Sequence, residues 1–193
     1  MPWLETPSAT FTARHDARDA DDAAAVLAQL EAARERLEPL FGARAAVGEM
    51  AAVLHGSTAQ LDAAQPWLPL YRRLTAPAGR RYLAGWTTET ELHVLAPRLL
   101  ARRASNVEGS LELLMLAPAA LFARRLVGAA NPGLPPPFGI RSFRRYLRWA
   151  WLVEGAAQYF SGQGAHVRPA VTRRMREGPA PAFPPAVGDA ALL

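Results

Sequence analysis

Pro97 divides this 193-residue chain into two regimes of apolar spacing. Before it, short alternating or continuous apolar stretches are interleaved with one long helical pattern. After it, the apolar residues repeat at helical spacing as far as residue 161. An order of strand, helix, strands and then helices confines the chain to α+β architectures with the helices segregated after the sheet. ATFTARH (9–15) reads as a strand with Phe11 and Ala13 on one face, and the acids of DARDADD suit the positive end of the helix that follows. Val26, Leu30, Ala33, Leu37 and Leu40 then recur at helical spacing, and Gly42 supplies the stop. AVGEMAAVLHGS predicts a buried strand ending near His55, and a looser helical stretch covers 58–74. TAPAGRRYLAG turns at 77–79 and predicts a strand through Tyr82 and Leu83. TETELHVLAP predicts another, with His93 and Leu95 facing away from Leu92 and Val94. Beyond Pro97, residues 110–130 and 142–161 form helical segments on either side of the loop NPGLPPPFG. The expected fold is α+β: a small N-terminal mixed sheet with one long helix, followed by packed helices.

Half of the residues are apolar and a fifth are charged, an ordinary globular composition, and the length suffices for one buried core. The expected division is a domain over 1–170 and a Pro-rich tail over 171–193 that reads as the start of a truncated further element. Absence of Cys excludes disulfides and thiolate metal sites. The N-terminus lacks a basic start and an apolar run, and the longest apolar run, 113–123, is about half of a membrane span. A cytoplasmic protein without membrane contact is therefore expected. All 22 basic residues are Arg and Ile occurs once, a bias that a high-GC bacterial genome produces. Read as a whole, the net charge of +5 speaks to solubility rather than to nucleic acid. The sequence does not address oligomeric state.

One carboxylate interrupts an otherwise apolar stretch, WAWLVEGAAQYFSGQ (149–163). Helical spacing places Glu154 on a face with Leu147, Ala150 and Ala157. Arg141, Arg144, Arg145 and Arg148 line a different face, read as solvated, or alternatively as a nucleic-acid footprint interleaved with Phe143, Tyr146 and Trp149. Gly155 costs helix stability, of about 1 kcal/mol relative to Ala, and predicts close approach of another backbone. Glu154 has three readings: a buried carboxylate satisfied by an Arg or by backbone donors, a ligand-binding group in a cleft, or a metal ligand.

WLVEGAAQYFSG resembles the third-ligand helix of gluzincin-type zinc metallopeptidases and of the wider peptidase MA-like domains, which read W-L-x-E-G-x-A-x-Y with the Glu on zinc. The resemblance covers about residues 10–163, by motif at Glu154 and by order of elements upstream. It implies an active-site helix carrying H-E-x-x-H, whose two His bind zinc while the Glu acts as general base. That helix corresponds to SLELLMLAPAALFARRLVG, with Pro118 and Phe122 at the His positions and Ala119 at the base. The zinc ligands and the base are absent there, and Pro118 breaks or restarts the helix. The resemblance thus implies a non-catalytic binding or structural module with no metal and no cofactor. Pro118, Phe122 and Glu154 are expected to meet across packed helices. Glu154, Tyr159 and His93 are the groove candidates, and an unidentified peptide or protein is the candidate ligand. The alternatives are an active zinc-dependent hydrolase with an unorthodox site, and an Arg-rich nucleic-acid-binding protein.

Overall fold

A computed structural model describes residues 3–134, 140–179 and 182–185. Five strands form one mixed sheet: β1 (Leu4–Pro7), β2 (Phe11–His15), β3 (Met50–His55), β4 (Gly85–Thr87) and β5 (Glu91–Leu95), in the order β1-β2-β3-β5-β4. The central trio β2, β3 and β5 is parallel, and the flanking β1 and β4 each run antiparallel to their neighbour. The helix α1 (Ala20–Phe41) makes the crossover from β2 to β3; α2 (Thr58–Ala64), α3 (Trp67–Leu74) and the single turn α4 (Pro77–Arg80) lead from β3 to β4. After the sheet come α5 (Pro97–Arg103), α6 (Ser110–Met115), α7 (Ala117–Ala130), α8 (Ile140–Ser161) and α9 (Gly164–Glu177). This is the expected α+β arrangement, with the sheet and one long helix first and packed helices after.

Alternation along the strands sorts the sheet into two faces. One carries Phe11, Ala13, Met50, Ala52, Leu54, Leu92 and Val94, all buried, and receives α1 and α7; the ring of Phe11 meets that of Phe122 edge-on at 5.4 Å. The opposite face carries Val53, His55, His93 and Trp86, and α2 and α3 cover it towards β4, where Tyr71 packs on Trp86. Glu31 ties α1 to the first hairpin by accepting from Ser8 Oγ, Thr10 N and Thr10 Oγ1 at 2.7–2.8 Å. Gly42, at φ +71°, ends α1 where a side chain would be strained.

Four readings need correction. β1 has no apolar alternation to announce it, being an edge strand of largely exposed residues ending on Pro7. The strand expected through Tyr82 and Leu83 starts later, at Gly85, because the preceding residues are turned by bonds from Tyr82 N to Gly79 O and from Ala84 N to Tyr82 O. The segment 110–130 is two helices: α6 stops at Met115 and α7 restarts with Pro118 in its first turn, where a missing N–H costs nothing. α9 runs through residue 170 to Glu177, so the division at 170 falls inside a helix. The tail beyond it lies largely outside the described residues.

β4 is held by the absence of a side chain. A Cβ at Gly85 would lie 2.4 Å from the His93 carbonyl oxygen and 2.6 Å from Leu121 Cδ1, so strand pairing and the packing of α7 both require glycine there. Gly85→Ala is expected to destabilise by about 2 kcal/mol through overpacking, measured by urea unfolding.

Candidate functional site

α8 buries Phe143, Tyr146, Ala150, Val153 and Ala157, a stripe at helical spacing. Its first half wraps the β4 edge of the sheet: Phe143 stacks on Trp67 of α3 at 5.0 Å, and Tyr146 meets Tyr71 at 5.5 Å and Trp86 at 5.4 Å, both edge-on. Its second half lies along α7. Ala150 and Ala157 are the small residues of that stripe. The close approach expected at Gly155 does not occur, since a Cβ there meets nothing within 4 Å. One residue beyond Glu154, the helix has already turned ~100° away from the contact.

Glu154 borders this stripe and meets Arg124 of α7. Arg124 Nη2 lies 2.6 Å from Glu154 Oε1 and donates to the Tyr146 hydroxyl, also at 2.6 Å; Tyr146 in turn donates to Glu154 Oε1. Three polar groups thus close a triangle, with the guanidinium 4.0 Å above the Trp86 ring. The side chain of Arg124 is 5% exposed and that of Glu154 18%. Burial by itself would depress the Arg124 pKa, but Glu154, Tyr146 and Tyr71 outweigh it and hold the guanidinium charged. Burial also pushes the Tyr146 phenol well above its usual range; Arg124 opposes this and Glu154 adds to it, so Tyr146 stays a donor.

A cleft of about 70 Å³ opens beside the triangle, between β4, α6, α7 and α8. α7 presents Ala117, Ala120, Leu121 and Arg124 to it, while Gln163 closes one end by donating to the Leu113 carbonyl at 2.7 Å. That volume is far below the several hundred Å³ of ordinary ligand pockets. Pro118, Ala119 and Phe122 are buried and do not line the cleft; the groups that contact Glu154 are Arg124 and Tyr146. The α7 residue that contacts Glu154 is Arg124, two positions beyond the second of the two positions read from the sequence. Sequence reasoning missed Arg124, although an arginine inside an apolar helix that needs a carboxylate was the signal that could have found it.

The zinc implied by the resemblance does not fit these residues. The Glu154 carboxylate already faces a guanidinium, α7 turns apolar side chains towards it elsewhere, and no three His, Asp or Glu cluster among the described residues. Tyr159 is 77% exposed, lies edge-on to Phe160 and takes no part in the cleft.

His93 sits on the opposite sheet face and belongs to a second polar cluster. Its Nε2 is 3.0 Å from Glu91 Oε2, and its Nδ1 is 3.0 Å from His55 Nε2, the two rings 18° apart. Glu91 also accepts from Arg14 at 2.7 Å, and Arg14 reaches Glu5 at 3.0 Å. Paired with Arg14 as a carboxylate, Glu91 accepts, which assigns the protons. His93 donates from Nε2, so its Nδ1 accepts and His55 donates from Nε2. His55 Nδ1 is then a buried lone pair without a partner among the described residues. Burial, and then the neighbouring His93, push the His55 pKa down to about 4, with Glu91 acting the other way. His93 is lowered mainly by burial.

Two predictions follow from this geometry. Removing one member of a buried ion pair strands the other. Glu154→Gln is therefore expected to cost about 3 kcal/mol in urea unfolding, and the double variant Arg124→Met/Glu154→Gln less than the sum of the two singles. The second concerns acid. An unfolded His titrates near 6.5, whereas folded His55 resists protonation until about pH 4. The unfolded chain therefore takes up the proton first as pH falls. Stability from this group is complete above pH 6.5 and declines between there and about 4, so the thermal midpoint should fall over that window less steeply in His55→Gln than in the parent.

No protein-family model, curated protein or solved structure matches the chain.

Proposed function

We propose that this chain is a non-catalytic binding or structural module built on a metallopeptidase-like plan, in which an internal cation stands where the metal would face Glu154. The observation that carries this reading is the 2.6 Å contact between Arg124 and Glu154, with the Tyr146 hydroxyl bonded to both. A carboxylate on α8, the helix that follows α7 and the Pro/Gly loop, is the motif that the resemblance assigns to zinc. Here a guanidinium neutralises it from the facing helix, one of the positions on α7 that turn towards it. The order of sheet, long helix, α7, loop and Glu-bearing helix supports the same plan.

Chemistry argues against a hydrolase. Activating a water for attack on a peptide takes either a metal that lowers the water pKa or a general base with an accessible lone pair. Glu154 Oε1 is taken by two donors, Arg124 and Tyr146, and its other neighbours on α7 within the cleft are Ala117, Ala120 and Leu121, which offer a metal no ligand.

Protein expressed with added zinc and measured by plasma emission is expected to carry no stoichiometric zinc, and to leave a mixed peptide library uncleaved. One tightly held zinc per chain, lost together with peptide cleavage in Glu154→Gln, would overturn the reading.

A further inference from the structure

The net charge of +5 is not spread over the molecule. Residues 140–177, the span of α8 and α9, hold eight arginines against two carboxylates, a net of +6; the rest of the chain holds 14 arginines against 15 carboxylates, a net of −1. Both carboxylates are engaged, Glu154 by Arg124 of α7 and Glu177 by Arg173 at 2.6 Å. All eight arginines are exposed.

Neither helix accounts for these charges by its own structure. Arg141, Arg144, Arg145 and Arg148 fall within the first nine residues of α8, Arg141 in the first turn, where the positive end of the helix dipole disfavours a cation and where no acid sits. α9 buries no residue, and among the described residues its one ion pair is that of Arg173 with Glu177, which leaves Arg168, Arg174 and Arg176 neither packed nor paired. It is docked at its start, where the His166 backbone lies against Gly109, too close for a Cβ at that position. The face of α9 with Arg168, Thr172, Arg173 and Arg176 borders a shallow open hollow.

From this we infer that α8 and α9 form a binding surface for the phosphate backbone of nucleic acid, a function separate from the Glu154 site. The complementarity is of charge: eight exposed guanidiniums, each able to grip a phosphate with two N–H donors, on two successive helices. Arg141, Arg145 and Arg148 lie within one stripe of α8, and Trp149 beside them offers a partly exposed ring for stacking. Phe143 and Tyr146, interleaved with the arginines in the sequence, are buried and take no part. An acidic lipid surface fits less well, because α9 carries half of the arginines with Met175 as its one large exposed apolar side chain among the described residues. The exposed Leu152 and Tyr159 of α8 fall on the arginine side of that helix rather than on an apolar face of their own. Lying on a bilayer takes an apolar face besides the cations.

The test is fluorescence anisotropy of the full chain with labelled oligonucleotides of about 20 residues, single-stranded and duplex, in two unrelated sequences, at about 50 to 200 mM salt. Binding that ignores sequence and weakens steeply with salt is expected. Replacing Arg141, Arg145 and Arg148 by Gln should make the slope of log K against log salt shallower by about 2, and the separate triple variant of Arg168, Arg174 and Arg176 should do the same. Exposed arginines elsewhere, in Arg73→Gln/Arg102→Gln, should leave it unchanged. Because each triple variant alters exposed side chains of one helix only, unchanged thermal unfolding in either keeps the result readable. Absence of binding at the lowest salt would overturn the proposal. So would binding that both triple variants retain, or binding to phosphatidylserine vesicles through these arginines without binding to either oligonucleotide.

Discussion

Arg124 places a permanent positive charge between α7, α8 and the edge strand β4, and the packing around it depends on how that charge is met. Glu154 supplies the opposite charge, Tyr146 a hydroxyl that both accepts from Arg124 and donates to Glu154, and Trp86 the face of an indole. Each partner comes from a different place: Glu154 and Tyr146 lie two turns apart on α8, Trp86 on β4, and Tyr71 of α3 packs against both Trp86 and Tyr146. The guanidinium is thus where the helical layer on one sheet face joins the helices on the other. Replacing the pair by apolar groups of equal volume need not be costly, whereas losing one member is. The pair therefore specifies how α7 and α8 seat on each other more than it adds to total stability.

Most of the fold was legible because it follows from periodicity. The helical spacing from Val26 to Leu37, the alternation of Leu92, His93, Val94 and Leu95, and the break at Pro118 each have a local cause that the structure repeats. β1 and the start of β4 were not, because an edge strand with one wet side need not alternate, and because Tyr82 turns its hydroxyl towards Ser110 at 3.0 Å rather than entering the strand. The candidate site was legible by half. Glu154 stood out as a carboxylate in an apolar helix, but its partner did not, because register between two helices is set by packing that no single helix displays. Counting from Pro118 gave a facing pair at 118 and 122; the contact made by α8 falls on Arg124.

The polar chain across the sheet was also hidden, since its members lie far apart in sequence: Glu5, Arg14, His55, Glu91 and His93. It runs transverse to the strands, from β1 through β2 to β5 and back to β3, by contacts of 2.7 to 3.0 Å. On the other face the same strands present apolar residues, Ala13, Ala52, Leu92 and Val94, whose contacts are non-directional and carry no donor or acceptor to mark the alignment.

Sliding is the particular weakness of parallel strands joined by long crossovers, because no tight turn pins their alignment. Between β2, β3 and β5 the alignment is instead keyed by directional bonds, each with one donor, one acceptor and one length. A shift of β5 by two residues against β3 would carry His93 about 7 Å from His55 and Glu91 as far from Arg14, leaving buried imidazole nitrogens without partners. The cluster thus acts as an indexing mark: it adds little to the adhesion of the sheet, but it makes one alignment of the three parallel strands distinguishable from its neighbours.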